Sequence, residues 1–396
     1  MLRLVANRTT RPSRSVCKRS SVGAAFGQSI GRSTNSSSNY ISSSTQRRDK
    51  HTTVGLQLDY YMSPQFAGIA CALTEGLYET AGIDNVKFLS TCPVGLEPER
   101  VRQFRDISND TDVVLGSIEQ NVLLPTLLKN PDFKVKAVAA IFQQSPLCLL
   151  SLGDNDNSKE GDGETKQVVG AHEDTVDLLK RILIYDNYQQ GPKHLVVASP
   201  RATKIQDLVE GKLDAIQAYT TTEVLTLQRI VEEATGGKHK PEDLSTILLE
   251  GHNGAKLGYS QVLFAPEEDL AGDQREILRA FLGATFEGWT MAANDPEHGA
   301  RCVEEAQAML KLSDEGNDHW DRRDLFEYNL QSTKACCDLV RLVDTSSSSS
   351  KNENNDQKLG IIDPDRWDES TQWLLNENVP PNFGLDSSVW EAGKSR

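Results

Sequence analysis

The strongest constraint on the fold is an alternation of short apolar runs with amphipathic stretches that is played out twice along the chain. VGLQLDYY (54–61) alternates and is β-prone, so it reads as a strand, and MSPQFAG follows as a loop. Residues 69–82 place Ile69, Ala70, Leu73 and Leu77 at helical spacing and stop at Gly82. A strand at 85–91, a helix at 97–108 and a strand at 111–117 continue the pattern, and VKAVAAIF (135–142) and LCLLSL (147–152) are strand-sized. The polar, Gly-rich run 153–167 builds no core and is expected to be a surface insertion. The rhythm then restarts with a strand at 168–171, a helix at 175–188, a strand at 194–199, a helix at 204–212 and a strand at 214–219. Such alternation predicts an α/β fold with largely parallel sheets.

Two segments are built alike. RVRQFRDISNDTDVVLGS and KIQDLVEGKLDAIQAYTT each break a short helix at a turn, open the next strand with Asp and close it with small polar residues. A unit that occurs twice, with no fixed short period, predicts two similar lobes rather than a repeat array. Ligands of open α/β sheets bind beyond the carboxyl ends of the strands. GSIEQ and TTTE stand at those ends, one in each lobe. The expected division is a first lobe over 51–148, a second over 149–258 and a return to the first over 259–343. The strand 259–266 is long enough to cross between them. A strong amphipathic helix covers 274–295, a low-complexity loop 344–358, and a last helical pattern 363–378.

Charge and composition limit the function. The chain has 396 residues and a net charge of −15. Residues 1–48 carry nine Arg/Lys, twelve Ser and no Asp or Glu, so the remainder stands near −24 (33 basic against 57 acidic). An acidic body argues against a nucleic-acid surface. No run of eighteen apolar residues exists, so no membrane span is expected. The Arg- and Ser-rich, acid-free start has the composition of an organellar transit peptide, mitochondrial first and plastid second, and residues 1–50 are set apart from the fold.

Few residues advertise chemistry. The seven cysteines (17, 71, 92, 148, 302, 336, 337) include no CxxC pair, which predicts neither a disulfide framework nor a zinc site. His172, His194 and His252 show no base–nucleophile spacing, and no HExxH, GxSxG, P-loop or GxGxxG occurs. HEDTVDLLKR (172–181) opens a helix after a strand, with Asp174 or Thr175 as cap. Its free N–H groups would serve a polar ligand or only the cap. In DYYMSPQFAG (59–68) a carboxylate, two tyrosines, Gln65 and Phe66 follow a strand directly. Aromatic rings at a strand end suit stacking on a heteroaromatic ligand, with Asp59 accepting from an amino group.

LDYYMSPQFAG, ALTEGLYETAGI, TDVVLGSIEQ, VKAVAAIFQQSPLCLLSL, VVGAHEDTVDLL, LVEGKLDAIQAYTTTE and DPDRWDESTQWLLNEN, taken in order, resemble the SsuA/THI5-like family of two-lobed, periplasmic-binding-protein-type proteins. The resemblance implies two α/β lobes closing over a small ligand such as a thiamine pyrimidine precursor, a riboflavin-like compound, a sulfonate or nitrate. Pyrimidine-binding members carry a D-W-x-P-N-x-x-H-type stretch. Asp59 matches it, Tyr60 stands for the tryptophan and Phe66 for the histidine. A eukaryotic branch makes the pyrimidine from pyridoxal phosphate with a lysine, a sacrificial histidine and a cysteine-rich iron run. Gly116, Gln120 and the cysteine-free KLGYSQVLFAP occupy those places.

The expected function is therefore a binding protein for a small heteroaromatic molecule, with no cofactor. Its site would use Asp59, Tyr60, Gln65, Phe66 and Glu119 from one lobe and His172, Thr175, Tyr219, Thr220 and Glu223 from the other. Two alternatives remain. One is a synthase-type enzyme with pyridoxal phosphate, iron and a different lysine. The other is an interaction protein that uses the two polar insertions. A transporter, an enzyme partner or a second copy of the chain stays open as partner.

Overall fold

The TVGLQ strand (β1, Thr53–Gln57) is buried along four of its five residues, because sheet neighbours flank it on both sides and helices cover both faces. The computed structural model that places it describes residues 51–153, 166–173, 175–184, 194–310, 325–341 and 359–390. The basic start (1–50), Asp174 and most of both polar insertions lie outside the described residues.

The first sheet holds β2 (Asn85–Phe88), β1, β3 (Val113–Ile118), β10 (Ser260–Pro266) and β4 (Val135–Phe142), in that order. The second holds β7 (His194–Ala198), β6 (Gln167–Ala171), β8 (Ala215–Tyr219), β5 (Leu147–Leu152) and β9 (Leu244–Leu248). In the first, β1 runs parallel to β2 and β3, and β10 is antiparallel to β3 and β4. In the second, β6 runs parallel to β7 and β8, and β5 is antiparallel to β8 and β9. Each sheet thus has four strands one way and one reversed, in the same relative order. The two lobes are alike, as the paired segments predict. β10 lies wholly in the first sheet, so the expected crossing by 259–266 is made instead by the stretch before it, 249–259. The other crossing, 143–146, joins β4 to β5.

Helices α1 (Ala67–Thr74), α2 (Leu77–Thr80), α3 (Glu97–Ile107) and α4 (Gln120–Lys129) belong to the first lobe. Helices α5 (Val176–Ile184), α6 (Lys204–Val209) and α7 (Glu223–Ala234) belong to the second. α8 (Gly272–Asn294) and α9 (Pro296–Leu310) then return to pack on α1, and α10 (Leu325–Val340) packs on α9 and joins the same core. Period-two alternation divides the core. Val113 and Leu115 face the α1–α8 cluster, whereas Val114 faces the opposite one with Phe264 and Trp367. α11 (Pro364–Leu375) touches both lobes, since Trp367 sits in the first core and Trp373 packs on the second. Asp363 caps it by accepting from the Arg366 amide at 2.8 Å, with Pro364 opening the first turn. The six described cysteines are free.

The α1–α8 contact is close because glycines line it. A Cβ on Gly288 would stand 2.1 Å from the Gly68 carbonyl oxygen, a backbone atom that cannot swing away. Gly283, on the same helix, has only one side-chain atom within reach, at 4.0 Å. Gly288→Ala is therefore expected to lose ~1–3 kcal/mol by overpacking. Gly283→Ala is expected to gain up to ~1 kcal/mol of helix propensity. Urea denaturation midpoints of the two variants check this pair.

Candidate functional site

The carboxyl ends of the strands converge on one cleft. β1 runs into Asp59, Tyr60 and Tyr61, and β3 into Glu119. From the other lobe β6 delivers His172, β7 leads to Arg201, and β8 ends in Tyr219 followed by Thr221, Thr222 and Glu223. Gln65, Phe142, Ser260, Gln261 and Tyr328 complete the wall. The empty volume is about 1100 Å³ with the open mouth included. That suits a small molecule, since such sites run to ~300–1,000 Å³.

Asp59 is fixed on both oxygens. The Ser117 hydroxyl donates to Oδ1 at 2.7 Å, and the Gln261 amide Nε2 donates to Oδ2 at 3.0 Å. Burial pushes the Asp59 carboxyl up from its usual range, although both bonds pull it down. Gln261 holds φ at +55°, a left-handed conformation rare for a residue with a Cβ, and Asp59 is the partner that this backbone brings its amide to. Tyr60 and Tyr61 stand beside it with ring centroids 4.1 Å apart and ring planes tilted by 41°.

The second wall is built on a buried ammonium. Lys204 opens α6 with its side chain 1% exposed, and Nζ reaches Glu223 Oε1 at 2.6 Å. It also reaches His172 Nε2 at 2.7 Å and the Gln217 carbonyl at 3.0 Å. The Tyr219 amide and the Thr222 hydroxyl donate to Glu223 Oε2 at 3.0 and 2.5 Å. Burial raises the Glu223 carboxyl, but the Lys204 ammonium and these bonds outweigh it and hold the group at about 2. Burial, with Lys204 and Arg201 adding to it, drives His172 down to about 3. The imidazole is neutral at pH 7. Because Lys204 donates to Nε2, the ring hydrogen belongs on Nδ1, which is buried with no hydrogen-bond partner among the described residues.

The comparisons with known proteins fit this geometry. Residues 63–299 match the NMT1/THI5-like family model. The chain belongs to the NMT1/THI5-like family. No curated protein matches it in sequence. Among solved structures, it is similar to the ligand-binding component of an ABC-type import system from Staphylococcus aureus, solved with zinc bound. That match has 13% identity and a TM-score of 0.53, and covers 87% of this chain and 100% of the other. It is also similar to the periplasmic aliphatic sulphonate binding protein SsuA from Escherichia coli, at 12% identity and a TM-score of 0.45, over 72% of this chain and 91% of the other. At these identities the Staphylococcus aureus likeness shows the two-lobed fold.

For this NMT1/THI5-like chain the expected residues divide. Asp59, Tyr60, Gln65, Glu119, His172, Tyr219 and Glu223 line the cleft. Phe66 does not, because it is fully buried in the α1–α8 core. Thr175 does not, because it is buried and its hydroxyl is taken by the Gln217 side chain and the His172 carbonyl. Thr220 gives way to Thr221 and Thr222, and its amide instead holds the Pro146 carbonyl at 3.0 Å. At Gly116, a Cβ would meet the Phe264 ring at 2.2 Å, so the core fills the room a longer side chain needs. Gln120 is buried and bonded to Ser370 and the Tyr259 amide. Lys204, Arg201, Gln261 and Tyr328 went unnoticed in the sequence, and Tyr61, one of the two tyrosines at the end of the first strand, was left out of the expected site. A signal for Lys204 was present, since a lysine in the first turn of a helix opposes the helix dipole and needs a carboxylate to hold it.

The signs of the two shifts agree. His172 stays neutral in the fold down to about 3, while its unfolded form protonates near 6.5, so the fold loses stability as pH falls through 6.5 toward 3. Glu223 adds a loss between 4.5 and about 2. Asp59, whose carboxyl is raised, works in the opposite direction. Comparison with a variant isolates the imidazole. Between pH 6 and 5 the slope for His172 approaches about 1.4 kcal/mol per pH unit, and His172→Gln is expected to remove it. Stability measured across that window in both proteins checks the assignment.

Proposed function

We propose that this chain is a substrate-binding protein that closes its lobes over a small, flat heteroaromatic molecule carrying both donor and acceptor groups, such as the pyrimidine of thiamine. The observation that carries the reading is a pair of buried polar atoms, without partners among the described residues, on two residues that line the cleft from opposite lobes. His172 Nδ1 offers a hydrogen from one lobe, and Gln261 Oε1 offers an acceptor from the other, each on a residue 5% exposed or less. Buried polar atoms without partners are costly, so a ligand with matching groups is stabilised there. An aminopyrimidine supplies a ring nitrogen for the first and an amino group for Gln261 and Asp59. Tyr60, Tyr61, Tyr219, Tyr328 and Phe142 supply aromatic surface.

Charge narrows the ligand class. Asp59, Glu119 and Glu223 line the cleft against Arg201 as the one lysine or arginine among its lining residues. Glu223 is already paired with Lys204, which leaves two carboxylates facing one guanidinium. That balance disfavours a free anion such as nitrate or a sulfonate and favours a neutral or cationic ring.

The synthase reading has less support. Lys204 is buried away from the cleft lining, and its three contacts account for all three ammonium hydrogens. Schiff-base chemistry needs a lysine amine free to attack.

Isothermal titration with 4-amino-5-hydroxymethyl-2-methylpyrimidine tests the proposal. Micromolar or tighter binding is expected, and Asp59→Asn should weaken it ~10–100-fold, the weight of a hydrogen bond to a charged group. Unchanged affinity after Asp59→Asn and Tyr219→Ala together would remove the site assignment.

A further inference from the structure

A second constellation lies in the first lobe, away from the cleft. Glu75 stands at the C-terminal end of α1. His298 and Cys302 stand four residues apart on α9, on one face of the helix. The packing of α1 against α9 brings all three side chains to one point. His298 Nε2 lies 3.2 Å from Glu75 Oε1, Cys302 Sγ lies 3.5 Å from His298 Nε2, and the thiol lies 4.0 Å from the same Glu75 oxygen. None of the three lines the cleft.

We propose that Glu75, His298 and Cys302 form a binding site for a zinc-like divalent cation that clips α1 to α9. Tetrahedral zinc with bonds of ~2.0–2.3 Å to oxygen, nitrogen and sulfur separates its ligand atoms by about 3.4–3.6 Å. The three separations bracket that range. An ion pair between Glu75 and protonated His298 explains one of the three approaches, and it gives no reason for a cysteine to complete the triangle. The donor set of one carboxylate, one imidazole and one thiolate suits a borderline-soft ion rather than magnesium or calcium.

The surroundings fit a ligand set of unequal exposure. Cys302 is buried, and the side chains of Glu75 and His298 are 40% and 36% exposed. Solvent therefore reaches the carboxylate side, where a water takes the fourth position. Behind Cys302 stands the buried Cys71 of α1. A thiol behind a ligand thiolate is outer-shell support that orients and steadies such a ligand. The His298 amide is held by Asp295 Oδ1 at 3.0 Å, which fixes the start of α9. Cation binding at this point displaces the thiol proton of Cys302 and stabilises the folded form by mass action.

The test uses the full chain, reduced and stripped with chelator, and titrated with cobalt(II) as a visible probe and then with zinc. One equivalent of cobalt is expected, with a sulfur-to-cobalt charge-transfer band that zinc abolishes, and zinc should raise the melting temperature. Cys302→Ser should lose the band and weaken zinc by more than the ~100-fold that follows loss of an outer-shell partner. Glu75→Gln changes an exposed residue and should keep the fold and the band, with weaker affinity. Absence of the sulfur band in the parent chain overturns the site. So does equal zinc affinity in Cys302→Ser. None of these outcomes bears on ligand binding in the cleft.

Discussion

The cleft depends on one buried charge. The Lys204 ammonium ties together the end of β6 through His172, the end of β8 through the Gln217 carbonyl, and the start of α7 through Glu223. A lysine with its side chain 1% exposed is tolerated only if every hydrogen finds an acceptor and a carboxylate balances the charge. Meeting that demand aligns two neighbouring loops of the second lobe. It also selects the neutral His172 tautomer whose remaining hydrogen is on Nδ1. The TTTE segment thus has a physical account. Thr222 and the Tyr219 amide fix the glutamate, the glutamate fixes the lysine, and the lysine sets the imidazole.

The first lobe solves the same problem without a cation. Asp59 receives donors from Ser117 on β3 and Gln261 on β10, two strands that sit next to each other in the sheet. The positive φ of Gln261 places local strain at a functional wall, where the surrounding sheet over-determines the conformation. β10 is also the strand by which the chain returns from the second lobe. The residue that holds Asp59 is therefore next to a crossing, and the other crossing places Pro146 on the cleft wall. In the proposed function, lobe closure and ligand contact would share the same stretch of chain.

The fold was legible because strands buried on both faces appear as continuous apolar runs whichever way they pair, and VKAVAAIF and LCLLSL, both antiparallel to their neighbours, could be little else. The likeness of the 100–117 and 204–221 segments showed the two lobes, and the rule about carboxyl ends located the cleft. Residue-level placement was harder. Phe66 and Gln65 are adjacent in sequence, yet a 3-10 turn at Pro64–Phe66 sends one ring into the core and leaves the amide at the cleft. Thr175 looked like a donor and is consumed by Gln217, a partner 42 positions away. Lys204 went unnoticed because its carboxylate lies beyond a strand. The α1–α9 cluster was hidden for a related reason. Its residues come from segments more than 200 positions apart, and a search for CxxC spacing passes over a His and a Cys one helical turn apart.

The central claim is that the cleft holds a small ring compound without covalent attachment. Native mass spectrometry of the full chain purified from its source, followed by denaturing release, measures this directly. The account predicts a bound ultraviolet-absorbing ring compound that leaves intact on denaturation and a polypeptide of unmodified mass. A molecule that stays attached to a lysine, or a bound anion without a ring, would contradict it.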